Sequence, residues 1–435
     1  MTIIDARDLP VDPTSAARLS ATGLEYRTVD LGDDTAATAY QRALDRGFLG
    51  VEATDEARAF VRDVFSARRC VGVYDPRAVD ALPVATVNSW VTPLTVPGGA
   101  QEDMWAISGV TVASTHRRRG IARSLLEGEL RSAAAAGVPL AGLTVTEATI
   151  YGRYGFGSAV PVASLTVDTR RAGWAAPTAP GRLEYVDRET LAADLGAVHE
   201  RTRLSAPGGV AGWKGRWEGH AGVAPNAPNR DAVRGVRHVD ESGAVTGAMA
   251  YSLTEKGTAH RFILDVRLLV AETPQALSAL WRFAVQHDLV DTVTADLRPV
   301  DDPLPWLVVD QRGVTKTEHD HGWLRVLDVA RALEARRFSA PLDVVLHVED
   351  PLGIAAGDWR LRVDAEGDAT VDAVDGGDTE ADVVLDVSAL SSLYVGGVRA
   401  STLHAAGRIT AEISTIAALD RAFVAFPAPT LDIWY

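Results

Sequence analysis

The sequence predicts an α/β (α+β) protein built from three successive mixed layers, and three observations carry that expectation. Strand-like and helix-like stretches alternate from about residue 35 to 160, the same strand–strand–helix–strand order returns between about 182 and 325, and short alternating strands mix with helices beyond 326. Strands that feed a helix and return to a strand imply an α/β layer with a right-handed crossover. At 435 residues the chain exceeds one ordinary core, so two or three domains are expected.

In the first region "AYQRALDRGFL" and "DEARAFVRDVFSARR" read as helices, and "CVGVYD", "LPVATVNSWVTPLTV" and "MWAISGVTVA" as strands. The helix "GIARSLLEGELRSAAAAG" ends at Gly137 and leads into the strand "LAGLTVTE". "AGWAAPTAPGR", rich in Pro, Gly and Ala, marks a boundary. In the second region "AVTGAMAYSL" and "HRFILDVRLLVA" are strands. "TPQALSALWRFAVQHD" is a helix with Thr273 as N-cap and Pro274 in its first turn, and "VDTVTADL" is the next strand. The repeated order suggests an internal duplication. The third region opens on the helix "LRVLDVARALEARRF" and continues through the strands "LDVVLHVED", "DWRLRVDAEG" and "ADVVLDV". It closes with a helical segment "SALSSLYVGGVRASTLHAAGRI" and the helix "STIAALDRAFVAF", an α+β module with a mostly antiparallel sheet.

Composition narrows the function classes. With 47% hydrophobic and 23% charged residues the chain is an ordinary globular one. A formal charge of −15 disfavours nucleic acid and anionic membranes and suits cationic ligands. The single cysteine, Cys70, cannot form an internal disulfide and reads as a buried structural thiol. No stretch is long and apolar enough for a signal peptide or a membrane span. The expectation is a cytoplasmic protein.

The stretch that points to chemistry is "SGVTVASTHRRRGIARSLLEGEL". The strand Val110–Thr111–Val112 runs through a short loop into Arg117–Arg118–Arg119–Gly120–Ile121–Ala122 at the start of a helix. A helix N-terminus already carries partial positive charge, so three arginines there are unfavourable by themselves. A docked anion removes the conflict, because free amides and guanidiniums converge on it. Gly120 permits close approach and Ala122 keeps the helix surface shallow. A solvated basic turn is the bland alternative. The strand leading in and the small residues favour a pyrophosphate.

That segment matches motif A of the GCN5-related N-acetyltransferases (GNAT). Together with "EATIYGRYGFG", "LWRFAVQHD", "DDPLPWLV", "VARALEARRF" and "LYVGGVRASTLHAAGRI" it resembles the enhanced intracellular survival (Eis) acetyltransferase family, from about residue 80 to the end. The resemblance implies tandem GNAT folds, the second degenerate, followed by a sterol-carrier-protein-like α+β domain. The expected bounds are 1–170, 171–325 and 326–435. It also implies a homohexamer (trimer of dimers), acetyl-CoA as acetyl donor and no metal. Carried over by motif, acetyl-CoA contacts fall on Val110, Thr111, Val112, Arg118, Arg119, Gly120, Ile121, Ala122, Arg123, Thr146 and Glu147, with Arg117 nearby. Tyr151 matches the family's proton donor. The second copy has "VAETPQAL" where the first has its arginines, and Glu272 there repels phosphate.

Acetyl transfer to an amine needs an oxyanion donor, an acid for the departing thiolate and a base. Thiols titrate at about 8.5 and tyrosine at about 10, so a phenol can protonate the thiolate. His116 adjoins the arginine turn and shapes it, while "EHDH" (Glu318–His321) reads as a polar loop, not a metal site. From the residues alone Glu147 and Asp432 are the rival bases. The resemblance supplies another, the terminal α-carboxylate of Tyr435. Such a group starts at about 3.3–3.7 and is weak unless its surroundings raise it. Two family positions hold glycine here, Gly47 and Gly109, which suggests a roomier acceptor cavity. The expected function is acetyl-CoA-dependent N-acetylation of cationic small molecules, of the aminoglycoside or polyamine kind. A protein or peptide lysine acetyltransferase and a non-catalytic acyl-CoA- or lipid-binding protein are the alternatives.

Overall fold

Antiparallel pairing dominates the first 112 residues. Strands β1 (Glu25–Thr28), β2 (Arg69–Tyr74), β3 (Ala85–Thr95) and β4 (Gln101–Val112) pair successively antiparallel. β5 (Leu140–Thr144) then joins β4 in parallel, the geometry that demands the crossover helix between them. The computed structural model describes residues 4–257, 260–374 and 380–435. It divides into two units, one of Met1–Ala159, Gly322–Ala425 and Tyr435, the other of Val160–His321 and Phe426–Trp434.

Helices α1 (Pro13–Ser20), α2 (Asp34–Gly47) and α3 (Asp55–Phe65) begin on the side-chain caps Asp12, Asp33 and Thr54, which satisfy amides the first turn leaves free. Helix α4 (Ile121–Ala135) is the crossover. Its Leu125, Leu126 and Leu130 are fully buried with Trp105 and Phe156, each leucine contributing roughly 1.5–3 kcal/mol. The buried Glu129 of α4 accepts hydrogen bonds from Ser89 Oγ (2.5 Å) and Trp105 Nε1 (3.2 Å), with Arg69 3.5 Å away. This network fixes the helix on β3 and β4. Cys70 is buried, as expected.

Strands β6 (Gly157–Asp168), β7 (Arg182–Val186), β8 (Val233–Val239), β9 (Val245–Glu255), β10 (Phe262–Ala271), β11 (Val290–Arg298) and β12 (Val314–Val326) follow. β7 to β10 pair successively antiparallel and β10 pairs with β11 in parallel, the order seen in β1 to β5. The last strand of each set comes from elsewhere in the chain. Residues 322–326 of β12 pair antiparallel with β5, and residues 163–168 of β6 pair antiparallel with β11. The crossover Pro274–Val285 is capped by Thr273, as the sequence predicts.

The remaining sheet has the order β15–β14–β13–β16–β17, from Leu342–Glu349 (β13), Gly357–Val363 (β14), Ala369–Ala373 (β15), Val383–Asp386 (β16) and Ile409–Ala411 (β17). It is antiparallel except for β13 with β16. Two expectations need correction. "LRVLDVARALEARRF" is helical only over Val329–Ala335, because Leu324–Val326 complete β12. The segment "SALSSLYVGGVRASTLHAAGRI" is two short helices, Val387–Leu393 and Ala400–Ala405. Gly396 between them sits at φ 80°, a conformation that breaks a right-handed helix.

Candidate active site

The site begins where β4 and β5 part. Their parallel register covers only Met104–Ala106 against Leu140–Gly142, yet β4 continues to Val112 and β5 to Thr144. Residues 107–112 therefore have no β5 partner in the ladder, and a wedge opens between the strands. Opposite the wedge the β3–β4 register slips between Thr86 and Asn88, with Gly109 at φ 62°. An extra residue in one strand bends it and leaves backbone groups unpaired. Thr111 and Val112 pair with Thr86 and Ala85 of β3, while on the β5 side Val110, Thr111 and Val112 have no ladder partner, an edge suited to an extended amide-bearing ligand. Thr111 Oγ1 lies 2.7 Å from Thr86 Oγ1, which is also 2.9 Å from the Gly109 carbonyl, so the bulge is held from below.

At the wide end of the wedge the chain turns through Arg117, Arg118 (φ 64°) and Arg119 to Gly120 (φ 74°), the N-cap of α4. Among the described residues no side chain caps this helix, and a Cβ on Gly120 would meet nothing within 4 Å. The first-turn amides of Ile121, Ala122 and Arg123 are therefore available. Arg117, Arg118 and Arg119 are exposed and form no ion pair among the described residues. Arg123 pairs with Glu127 at 2.6 Å, and Ile121 is buried and anchors the turn. His116 Nε2 bridges to Asp75 at 3.2 Å and braces the loop. Uncapped amides beside unpaired guanidiniums fit a pyrophosphate.

The second copy keeps a parting parallel pair and a register shift in β10 but lacks the open, arginine-rich helix start. Thr273 Oγ1 accepts the Ala276 amide (3.1 Å), Pro274 removes another donor, and Glu272 pairs with Arg201 at 2.9 Å. That helix satisfies its own first turn.

Tyr151 ends the short helix Ala148–Tyr151, packed edge-on to Phe156 at 6.2 Å. Burial chiefly, with Tyr154 and Glu147 nearby, pushes its phenol above the ordinary value, so the proton is held. Thr146 is exposed, as is Glu147, which accepts Thr149 Oγ1 at 2.7 Å. The main-chain oxygen of Tyr435 accepts the Thr144 hydroxyl at 2.9 Å, and the Tyr435 amide donates back to the same Oγ1 at 3.3 Å. Thr144 is the last residue of β5, two positions beyond its last contact with β4. The Tyr435 ring is enclosed, with Oη 3.9 Å from Met104 Sδ and the ring edge-on to Trp90 at 6.0 Å. A Cβ at Gly142 would lie 2.9 Å from that oxygen and 2.3 Å from Met104 Sδ. Here glycine makes room for the tail.

Three sequence expectations change. "EHDH" is not a loop but part of β12, and His321 is fully buried. Asp432 is not a free base: its Oδ1 sits 3.0 Å from His199 Nε2. Burial pushes its pKa up, but His199 and the Arg298 charge bring it net below the usual carboxylate range. Nor do Gly47 and Gly109 leave open space. A Cβ at Gly47 would fall 2.4 Å from Thr111, and one at Gly109 2.4 Å from Asn88 Nδ2, so neighbours already fill both positions. Thr144, His199 and His321 were not singled out for the site by the sequence. Only the polarity of "EHDH" marked one of them.

A splayed parallel pair, a bulged strand and an uncapped crossover helix define a GCN5-related acyltransferase. Residues 28–159 and 208–326 each match the acetyltransferase (GNAT) domain family, and residues 329–432 match the sterol carrier protein domain. An uncharacterized N-acetyltransferase of Streptomyces avermitilis is 35% identical over 379 residues, 85% of this chain and 88% of that protein. N-acetyltransferase Eis of Mycobacterium tuberculosis is 33% identical over 342 residues, 76% of this chain and 80% of Eis. The crystal structure of Eis1 from Mycobacterium abscessus aligns with a TM-score of 0.79 at 28% identity, covering 95% of this chain and 100% of that one. The chain belongs to the Eis family of N-acetyltransferases, with two GNAT domains followed by a sterol-carrier-like domain.

Proposed function

We propose that this enzyme transfers the acetyl group of acetyl-CoA to a primary amine of a cationic small molecule, of the aminoglycoside or polyamine kind. The observation that carries the reading is the Tyr435 α-carboxyl group held by Thr144 beside the β4–β5 wedge. Val110, Thr111 and Val112 line the pantetheine and polarise the thioester carbonyl. Arg117, Arg118, Arg119, Gly120, Ile121, Ala122 and Arg123 hold the pyrophosphate, and Thr146 and Glu147 border the thioester. The amine nitrogen forms its bond to the acetyl carbon as the carbon–sulfur bond breaks. The Tyr435 carboxylate takes the proton leaving nitrogen, and Tyr151 gives its proton to the departing thiolate. The charge of −15 favours encounter with cations. Domain bounds near 1–170, 171–325 and 326–435, a homohexameric assembly and a cytoplasmic setting belong to the same proposal.

The test is release of free CoA, followed with a thiol reagent, from acetyl-CoA and a panel of polyamines, aminoglycosides and lysine peptides. Turnover with the cationic small molecules alone supports the proposal. Turnover confined to peptides favours the protein-lysine alternative, and acetyl-CoA binding without any CoA release favours a non-catalytic role.

A further inference from the structure

The segment that delivers Tyr435 is gripped by two histidines in the same manner. His321, from β12, places Nε2 3.0 Å from the Ile433 carbonyl. A carbonyl only accepts, so Nε2 carries the hydrogen, and the ring packs edge-on to Trp434 at 4.6 Å. His199, from the helix Arg188–Thr202, places Nε2 3.0 Å from Asp432 Oδ1 and leans on Trp217 at 4.6 Å. In both rings Nδ1 is buried without a hydrogen-bond partner among the described residues. Burial keeps His321 neutral, pushing it down to about 4. An apolar side chain would fill either place without leaving an unpaired nitrogen. What each imidazole adds is a directed contact to the backbone or side chain of consecutive tail residues. Ile433 and Tyr435 are two residues apart, at most about 7 Å of extended chain, so fixing the Ile433 carbonyl limits where the α-carboxylate can go.

We infer that His321 and His199 are positioning residues that hold the Asp432–Ile433 peptide so that the Tyr435 carboxylate stands at the reacting amine. This rests on the proposed role of that carboxylate as base. Neither histidine touches substrate; each acts through the tail.

The experiment compares His321→Ala and His321→Gln with the full-length protein and with a Tyr435 deletion. It measures kcat, KM for acetyl-CoA, and the rate at which carboxypeptidase releases Tyr435. His321→Ala is expected to lower kcat about tenfold, the worth of one hydrogen bond, with KM for acetyl-CoA unchanged and tyrosine released faster. His321→Gln, whose amide N–H can donate, should restore much of both. Unchanged tyrosine release in His321→Ala, or a Gln variant no better than Ala, overturns the inference. If His321→Ala does not fold, His199→Asn and Asp432→Asn are read the same way. If deleting Tyr435 leaves kcat intact the carboxylate is not the base, whereas the grip on the tail is still judged by the release rate.

Discussion

The Thr144 hydroxyl and the main chain of Tyr435 satisfy each other twice, through Oγ1 to the main-chain oxygen at 2.9 Å and from the Tyr435 amide back to Oγ1 at 3.3 Å. Thr144→Val keeps the shape and removes both bonds. We expect kcat to fall about tenfold with acetyl-CoA affinity preserved, measured by steady-state kinetics and calorimetry. Deleting Tyr435 draws the terminal carboxylate back by one residue and adding residues after it turns that group into an amide; either change should cost about 10²–10⁴ in kcat.

Gly142→Ala tests the socket for the tail. Its Cβ would meet Met104 Sδ and Tyr435 Oη, so either the tail leaves or the strand shifts. Overpacking of this kind costs about 1–3 kcal/mol. Thermal unfolding should register that loss, and turnover should fall more than acetyl-CoA binding does.

Arg118→Gln and Arg119→Gln address the pyrophosphate turn. Each charge-assisted hydrogen bond is worth about 1.5–3 kcal/mol, so KM for acetyl-CoA should rise about tenfold or more while kcat at saturation stays near wild type. Being exposed, these contacts weaken with added salt. The wild-type KM should therefore climb with ionic strength, and that dependence should flatten in the double variant. The equivalent change of Glu272 in the second copy should leave acetyl-CoA binding untouched.

Tyr151 predicts the alkaline limb of the pH profile. An acid acts only while protonated, and burial holds this phenol above its ordinary value of about 10. The working form therefore persists to higher pH than for an exposed tyrosine, and kcat should decline only above about pH 10. Tyr151→Phe should lose about 10²–10⁴ in kcat and abolish that limb.

Much of this was legible because it is local. The glycine turn at Gly120, the caps Thr273 and Pro274 and the buried Cys70 each depend on a few neighbouring residues. Thr144, His199 and His321 were not, since their contacts with the tail span 291, 233 and 112 residues, and no periodicity reports a pairing at that range. "EHDH" misled because four polar residues in a row suggest a loop, although strand faces alternate. Glu318 is exposed while His321 is fully buried. The glycines at 47 and 109 suggest empty space in the sequence, but in the fold they let Thr111 and Asn88 come close.

The two crossover helices differ in who completes them. The one capped by Thr273 is finished by its own residues and is indifferent to company. α4, with bare amides and three arginines unpaired among the described residues at its start, is finished by what it binds. Any ligand that favours the folded state adds stability in proportion to the logarithm of its concentration over Kd. The first GNAT domain should therefore last longer against heat and proteases when acyl donor is plentiful and shorter when it is scarce. In that sense the persistence of the protein becomes a gauge of its own supply.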